Sequence, residues 1–250
     1  MRMSPMGMSP REGMSPVTVS VIIAVLNEEA SVPAAIRSGR EAGADEVIVV
    51  DGGSTDRTVE IARPLADIVL RHPPGRAAQM NAGVRVSSGD ILLFLHADTV
   101  LPPGSVAALR AAVRQGEFLG GAFSVRLSVS PFASAYRRAI LRLTGRMIGV
   151  RSILFRVYTG DQGIFARRDA FEAIGGFPEI PLMEDVEFSR RLTRSGKTLL
   201  LPARITTSGR RWESFGPGRT ILLMWGLRLA YFLGMSPERC AEIYGWSRVR

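Results

Sequence analysis

The sequence has one cysteine and no long apolar run among its 250 residues, and each shortage excludes a class of protein. Because a single thiol can form neither an intrachain disulfide nor a thiolate metal cluster, Cys240 excludes a fold that depends on either. The most apolar stretch, 221–235, is interrupted by Arg228, so a membrane-spanning helix is not expected. Residues 1–16 lack the apolar core of a secretory signal and, with three Met-Ser-Pro units, predict a flexible leader.

Positive charge, in contrast, is abundant and concentrated in one place. Lysine is nearly absent, so 31 of the 32 basic residues are arginine, and the formal net charge is +9. Nine of these arginines and a single acid, Asp161, lie in 126–168, which therefore carries +8. The rest of the chain is close to neutral, and this distribution disfavours a uniformly basic protein that binds nucleic acid.

Strand-like and helix-like segments alternate along the first half of the chain. Apolar, β-branched runs predict buried strands at 17–26, 46–50, 67–70 and 90–95, and helical spacing predicts helices at 28–43, 55–66, 76–87 and 103–115. This alternation is typical of an α/β fold whose mainly parallel sheet is covered by helices on both faces. Beyond residue 117 we expect a strand at 118–129 and helices at 132–147, 185–195 and 219–234. No linker divides 17–250, so one domain is predicted.

Polar residues follow three of the predicted strands at the point where each strand ends. Asn27 and Glu28 follow the first strand, Asp51 follows the second, and His96 and Asp98 follow the fourth. Because ligands of open parallel sheets bind at the carboxyl ends of the strands, these side chains predict a site at one sheet edge. The absence of GxGxxG after the first strand disfavours a dinucleotide site, and the absence of GxxxxGK[ST] excludes a P-loop.

The residue types at this edge suit a nucleotide. A carboxylate at Asp51, beside two glycines that let the backbone come close to a ligand, can accept from a base N–H or a ribose hydroxyl. Asp98 can hold a hard divalent cation that bridges a diphosphate, whereas the imidazole of His96 is a poorer ligand for Mg²⁺. A tight turn with a helix cap is the alternative for the segment around Asp51, and it would explain Ser54 and Asp56 but not Asp51 itself. For Asp98 and His96 the alternatives are a solvated strand end and a loop histidine.

Several segments, in this order, resemble glycosyltransferase family 2, whose members have the GT-A fold. These segments are VSVIIAVLNEE, VVDGGSTDRT, GRAAQMNAG, FLHADT, GGF at 175–177, MEDVEFSRRL at 183–192 and SGRRW at 208–212. GDQ at 160–162, LMED at 182–185 and RRW are similar to small single-domain members often described as arsenosugar-biosynthesis-like. The resemblance covers about residues 17–215 and implies a nucleotide-sugar half at 17–116 and an acceptor half, with amphipathic helices, at 117–250.

The resemblance implies donor-binding roles for residues of the first half: Asn27 and Glu28 at the base, Asp51 at the nucleoside, and Arg76 and Asn81 near the ribose or diphosphate. One departure concerns the base. The family's usual DDGS is DGGS here, so Gly52 replaces an acid and leaves the identity of the base open.

The resemblance also implies a metal site and a closing segment on the donor diphosphate. Asp98 matches the second acid of the family's DxD motif and is expected to hold Mg²⁺ or Mn²⁺. His96 stands in place of the first acid, where it could bind a hydroxyl, and a metal-independent variant stays open. Arg211 and Trp212 resemble the basic and aromatic pair that closes over the diphosphate.

On the acceptor side, Asp185 matches the family's catalytic base, and Glu184 precedes it. With one base and no second nucleophile implied, the expected outcome is inversion at the anomeric carbon by direct displacement. Asp161 and Gln162 are expected near the acceptor or the diphosphate. The alternatives are a capping acid at a helix start for Asp185 and an ordinary polar loop for the GDQ segment.

The basic segment predicts an amphipathic helix. Arg138, Arg142 and Arg146 recur every four residues on one face, and another face carries the apolar positions 132, 136, 139, 140, 143 and 147. Either the apolar face packs on the core and the arginines are solvated, or the segment binds anionic lipid headgroups or a lipid-linked phosphate. The 219–234 helix, with Trp225 and Tyr231, could extend such a surface.

These observations predict a metal-assisted, inverting glycosyltransferase that uses a nucleoside-diphosphate sugar. The acceptor is not identified; a lipid-linked acceptor, an anionic membrane surface and a cytoplasmic, membrane-peripheral location are further hypotheses, and no nucleic-acid partner is expected. One alternative is a nucleotidyltransferase that makes NDP-sugars, which would need a glycine-rich basic loop where Asn27 and Glu28 stand. The other is a non-catalytic basic module that binds membranes, which leaves the acidic strand ends unexplained.

Overall fold

The structure is a computed structural model that describes residues 16–129, 134–209 and 216–245. Except for its last residue, the predicted leader at 1–16 lies outside these ranges, and so do Arg211 and Trp212. The leader, its boundary and the roles of those two residues therefore stay predictions.

A single sheet of eight strands organises the described chain. The strands are β1 (Val19–Val25), β2 (Glu46–Asp51), β3 (Ile68–Arg71), β4 (Ile91–His96), β5 (Thr99–Val100), β6 (Gly120–Leu127), β7 (Phe165–Arg167) and β8 (Thr198–Thr207). Their spatial order is β3-β2-β1-β4-β7-β6-β8-β5. The first four strands in this order are mutually parallel, and β6 is parallel to β8, whereas β7 and β5 are antiparallel to their neighbours. The predicted α/β fold with a mainly parallel sheet is confirmed.

Helices cover both faces of this sheet. They are α1 (Val32–Glu41), α2 (Thr58–Ala62), α3 (Arg76–Val86), α4 (Ser105–Gln115), α5 (Ala135–Phe155), α6 (Arg168–Ala173), α7 (Glu184–Ser195), α8 (Pro217–Phe232) and α9 (Pro237–Tyr244), with a 3-10 turn at Gly160–Gln162. α2 starts later than predicted, at Thr58, whose N–H donates to the Asp56 carboxylate at 2.9 Å. No helix in the described ranges is long and apolar enough to cross a bilayer.

The side chains of β1 alternate between two cores. Val21 and Ile23 pack with residues of α1 and α4 on one face of the sheet. Ile22 packs on the other face with residues of α3, α6 and α7. Because both faces are covered, the central strands are continuous apolar runs, which is why they could be recognised in the sequence.

β8 was not predicted, and its irregular pairing gives the reason. Its register with β6 shifts between Phe123 and Ser124, whose partners are Leu201 and Arg204. Pro202 and the residue after it are the two extra residues of this bulge. A proline inside a central strand argues against a strand on sequence grounds, and a bulge is the place where a sheet tolerates it.

α5 packs through a different face from the one that the sequence indicated. Its buried residues are Leu141, Thr144, Gly145 and Ser152. The predicted apolar stripe is exposed instead, with Tyr136 at 74% and Leu143 at 56%, and it continues to Leu154 at 70%. The interpretation in which this stripe packs on the core is therefore wrong for residues 135–155.

Candidate active site

The ends of β1, β2 and β4 meet at one edge of the sheet, as the sequence predicted. Asp51 at the end of β2 pairs with Val25, and His96 at the end of β4 pairs with Ala24. Asp51 and His96 thus lie at nearly the same level, on either side of β1, with about 10 Å between their strands. Asn27 joins the first two strand ends, because its Oδ1 accepts from the Thr55 N–H at 2.8 Å.

Asp51 is buried in the turn that follows β2. Its side chain is fully buried, and its carboxylate accepts from the backbone N–H groups of Gly53 at 3.2 Å and Ser54 at 3.0 Å. The Nε of Arg71 lies 3.6 Å from its Oδ2. The carboxylate therefore stabilises the turn, a role that the sequence did not predict for Asp51, and a nucleoside contact stays a prediction.

Gln79 fills the space that Gly52 leaves open. A β carbon at Gly52 would lie 3.1 Å from both Oε1 and Nε2 of Gln79. The Gln79 Nε2 donates to the carbonyl oxygens of Val25 at 3.0 Å and Val50 at 2.8 Å. A buried amide thus ties β1 to β2 beside the position where DDGS has its second acid. The sequence contained no signal for this role.

A buried ion pair lies at the centre of the site. The Nη1 of Arg76, at the start of α3, is 3.1 Å from the Oε1 of Glu184, at the start of α7. Burial raises the pKa of Glu184 to about 7, although the positive charge of Arg76 opposes that rise. For Arg76 the balance is the reverse: burial alone would lower its pKa, but the charges of Glu184, Asp185, Tyr244 and Asp98 raise it.

Asp185 is held by two backbone N–H groups. Its Oδ2 accepts from Gly160 at 2.8 Å, and its Oδ1 accepts from Val186 at 2.7 Å. Met183, just before α7, has φ of 71°, a left-handed conformation that costs about 1–3 kcal/mol for a non-glycine residue. Such strain is typical of functional sites. It fixes the direction in which Glu184 and Asp185 enter the helix.

The GDQ turn, 160–162, lies between His96 and Asp185. A β carbon at Gly160 would come within 2.3 Å of the Nε2 of His96, while the Gly160 N–H bonds Asp185. The Nε2 of His96 and the Oδ1 of Asp161 are buried and have no hydrogen-bond partner within the described part of the chain. Burial and the charge of Arg76 lower the pKa of His96. A ligand could satisfy both orphaned atoms.

Asp98 lies between the end of β4 and the end of β8. It is partly exposed, and its carbonyl oxygen accepts from the Ser208 N–H at 3.1 Å. The neighbouring β5 pairs with β8 through Thr99 and Thr207. The end of β8 is therefore next to the predicted metal ligand.

The side-chain amides of two predicted site residues form hydrogen bonds with other residues of the protein. Gln162 is fully buried, and its Oε1 accepts from the Arg151 Nη2 at 3.2 Å and from the Thr159 N–H at 3.1 Å. Asn81 donates to the Phe177 carbonyl oxygen at 2.9 Å and accepts from the Phe177 N–H at 3.0 Å. Gln162 thus anchors the GDQ turn, and Asn81 anchors the GGF loop.

Two arginines near Asp185 were not among the predicted site residues. Arg228 on α8 lines a cavity together with Arg76, Asp185 and Tyr244. Arg151 on α5 lies close enough to Arg228 for their charges to repel. The sequence did contain signals, since Arg228 interrupts an apolar helix and Arg151 belongs to the basic segment, but nothing in it indicated that the two would meet.

The comparisons with known proteins agree on one family. The family described as "Glycosyl transferase family 2" matches residues 20–175. Undecaprenyl-phosphate 4-deoxy-4-formamido-L-arabinose transferase of Pseudomonas aeruginosa is 32% identical over 161 residues, which are 56% of this chain and 46% of that protein. The chain therefore spans about half the length of the curated relatives it matches.

Solved structures with low sequence identity share the fold. S. aureus TarS 1–349 in complex with UDP-GlcNAc has a TM-score of 0.57 and 18% identity, over 77% of this chain and 58% of that chain. Glucosyl-3-phosphoglycerate synthase from Mycobacterium tuberculosis, in complex with Mn²⁺, UDP and glucosyl-3-phosphoglycerate, has a TM-score of 0.54 and 21% identity, over 79% and 77%. The predicted GT-A fold is confirmed.

Proposed function

This chain belongs to glycosyltransferase family 2, and we propose that it transfers a sugar from a nucleoside-diphosphate sugar to an acceptor hydroxyl with inversion. The observation that carries the proposal is one buried cluster at the carboxyl ends of parallel strands, which contains Arg76, His96, Glu184 and Asp185. UDP and UDP-GlcNAc in the similar structures support a UDP-sugar donor. Family membership favours this activity over the nucleotidyltransferase and the non-catalytic module.

Asp185 is the general base in this proposal. Each of its carboxylate oxygens accepts one backbone N–H and retains another lone pair, which can take the proton of an acceptor hydroxyl. The acceptor oxygen then bonds to the anomeric carbon as the bond from that carbon to the diphosphate breaks. Arg76, which lies beside Asp185 in the cavity, stabilises the negative charge that develops on the leaving diphosphate.

A divalent cation fits this site only if the donor diphosphate supplies some of its ligands. Within the described residues, no three His, Cys, Asp or Glu side chains are grouped to hold a metal. Mg²⁺ commonly binds through one or two carboxylates together with substrate phosphates, so a single protein carboxylate is enough. Asp98 would hold Mg²⁺ or Mn²⁺, with the buried, partnerless Nε2 of His96 nearby. When bound, the cation would neutralise charge on the diphosphate.

Release of free nucleoside diphosphate from a panel of NDP-sugars tests the activity. We expect Asp185→Asn to lower kcat by about 10²–10⁴-fold with little change in donor affinity, because the proton acceptor is lost; the amide oxygen can still accept from one of the two backbone N–H groups that hold Asp185. Asp98→Ala should weaken donor binding and remove the response to Mn²⁺. Asp169→Asn, in an exposed ion pair with Arg167, is the matched control. Wild-type turnover by Asp185→Asn would refute its role as base, and pyrophosphate formation from a nucleoside triphosphate would favour the nucleotidyltransferase.

We also propose that α5 and α8 bind an anionic membrane surface from the cytoplasm, so that a lipid-linked acceptor can reach the site. Both helices expose apolar residues along one face, including Leu154 at 70% on α5 and Leu222 at 75% and Trp225 at 56% on α8. Arg142 and Arg146 are exposed beside the α5 stripe, in the segment that carries +8. Apolar residues flanked by arginine complement the headgroup region of an anionic bilayer.

Vesicle flotation tests the membrane proposal. Wild type should float with vesicles that contain phosphatidylglycerol and not with phosphatidylcholine alone. Arg142→Gln/Arg146→Gln should lose most of this binding, because each arginine near the surface contributes about 1 kcal/mol. The charge-matched control Arg37→Gln/Arg114→Gln, on exposed residues of α1 and α4, should float like wild type. Equal binding by all three proteins would refute the proposal.

A further inference from the structure

We propose that Arg151 and Arg228 form a subsite for a phosphate group on the acceptor. The inference rests on the proposed glycosyl transfer and identifies the chemical class of its acceptor. The subsite lies between α5 and α8, on the Arg228 side of the cavity that also contains Asp185, whereas we expect the donor diphosphate on the side of Arg76 and Asp98.

Arg228 is a partly buried cation that forms no ion pair with another residue in the described ranges. It lies on α8 and lines the cavity that also contains Asp185 and Arg76. Its Nε is buried and has no hydrogen-bond partner within the described part of the chain. Arginine is rarely buried unless it is paired, so a buried donor at the edge of a cavity points to a ligand that completes the site.

Arg151 on α5 is a second, pre-oriented guanidinium, held against the GDQ turn. Its Nη2 donates to Thr159 Oγ1 at 3.1 Å and to Gln162 Oε1 at 3.2 Å, which fixes one end of the group. Its Nε, like that of Arg228, is buried without a partner. The same turn donates the Gly160 N–H to Asp185. The position of Arg151 is therefore fixed relative to the proposed base.

A further anion would also stabilise the charges of this pair. Burial and the neighbouring charge of Arg228 lower the pKa of Arg151 to about 10, even though Asp161 and Asp185 oppose the fall. Two like charges that a fold brings together repel each other unless a ligand of opposite charge lies between them. A bound anion would therefore stabilise both guanidinium groups.

The geometry favours phosphate and an apolar attachment. Guanidinium groups bind phosphate through two parallel N–H bonds, and two such groups can neutralise a phosphate monoester. The rest of the cavity wall includes Leu182, Met224 and Leu227, which suit an apolar portion of the acceptor. The same phosphate chemistry could belong to a lipid phosphate or to a small soluble phosphate ester.

Binding measurements on the full chain test the subsite. Wild type, Arg228→Gln and the control Arg219→Gln, an exposed arginine on the same helix, are titrated with inorganic phosphate, with glycerol 3-phosphate and with UDP. Pull-down with phosphatidylcholine vesicles that contain a polyprenyl phosphate, against vesicles that contain the uncharged polyprenol, forms the lipid arm. We expect Arg228→Gln to weaken phosphate affinity by about tenfold or more, since a charge-assisted bond is lost.

UDP affinity should be the same in all three proteins, because the donor binds elsewhere. Unchanged phosphate affinity in Arg228→Gln, or no phosphate binding by wild type, would overturn the subsite. Failure to bind UDP would count against the proposed function instead. Arg228-dependent retention on polyprenyl phosphate vesicles identifies a lipid acceptor, and dependence confined to glycerol 3-phosphate identifies a soluble one. A purely structural Arg228 would make the variant melt lower, whereas we expect equal or higher stability once the repulsion is removed.

Discussion

Glu184 gives a quantitative prediction about pH and stability. Its pKa is about 7 in the folded protein, against an ordinary value of 4.5, because the side chain is buried and only 4% exposed. A difference of one in pKa corresponds to about 1.4 kcal/mol, so the full change corresponds to roughly 3 kcal/mol. Because the folded pKa is the higher one, the stabilisation is complete below about pH 4.5 and is lost as the pH rises through about 7.

Glu184→Gln keeps the shape of the side chain and removes its titration. Near pH 4.5 the two proteins should have similar free energies of unfolding, because both side chains are neutral. At about pH 8 the variant should be more stable by up to roughly 3 kcal/mol. At that pH Glu184 of wild type is ionised, and its carboxylate is less stable when buried in the folded protein than when exposed to water in the unfolded chain. Urea unfolding across this range measures the difference, in which all other titrating groups cancel. Glu172→Gln, at an exposed position on α6, should show no such trend. A pH-independent difference for Glu184→Gln would refute the reasoning.

Three further changes test the packing around the site. Gly160→Ala should lower NDP release at least tenfold and destabilise by about 1–3 kcal/mol, because its β carbon would clash with His96; wild-type turnover would contradict this. Phe188→Ala should lower the urea-derived free energy of unfolding by about 3–5 kcal/mol, because its ring lies 4.2 Å from that of Phe177; a loss below about 1 kcal/mol would contradict close packing. Asn81→Ala should cost about 1–3 kcal/mol by leaving backbone groups of Phe177 unsatisfied, and faster hydrogen exchange in the GGF loop would report it.

The parallel half of the sheet could be predicted because its strands are buried on both faces. A run such as β1 is apolar throughout, which is typical of a strand buried on both faces. The polar residues after it mark the edge where ligands bind. β8 could not be predicted, because Pro202 interrupts its pattern and only the partner strand shows that a bulge accommodates it.

The sequence predicted which residues form the site, but it did not predict their pKa values or all of their contacts. The order of the motifs predicted that Arg76, His96, Glu184 and Asp185 belong to the site, and all four line one cavity. The periodicity of α5 identified an apolar stripe, but periodicity does not say what covers such a stripe. The high pKa of Glu184 and the meeting of Arg151 with Arg228 arise from tertiary burial, which no local pattern encodes.

Because Gln79 fills the space beside Gly52, the effects of substitutions at these two positions should depend on each other. Restoring the family's acid by Gly52→Asp alone would force a carboxylate into the Gln79 amide, and shortening Gln79 alone would remove the side-chain donor of the Val25 and Val50 carbonyl oxygens, of which Val25 keeps the Gly52 N–H at 2.9 Å. Either single change is therefore expected to be deleterious, and Gly52→Asp should be better tolerated with a shorter side chain at residue 79 than alone. A screen of single substitutions would score residue 52 as immutable, although its tolerance depends on the residue at 79.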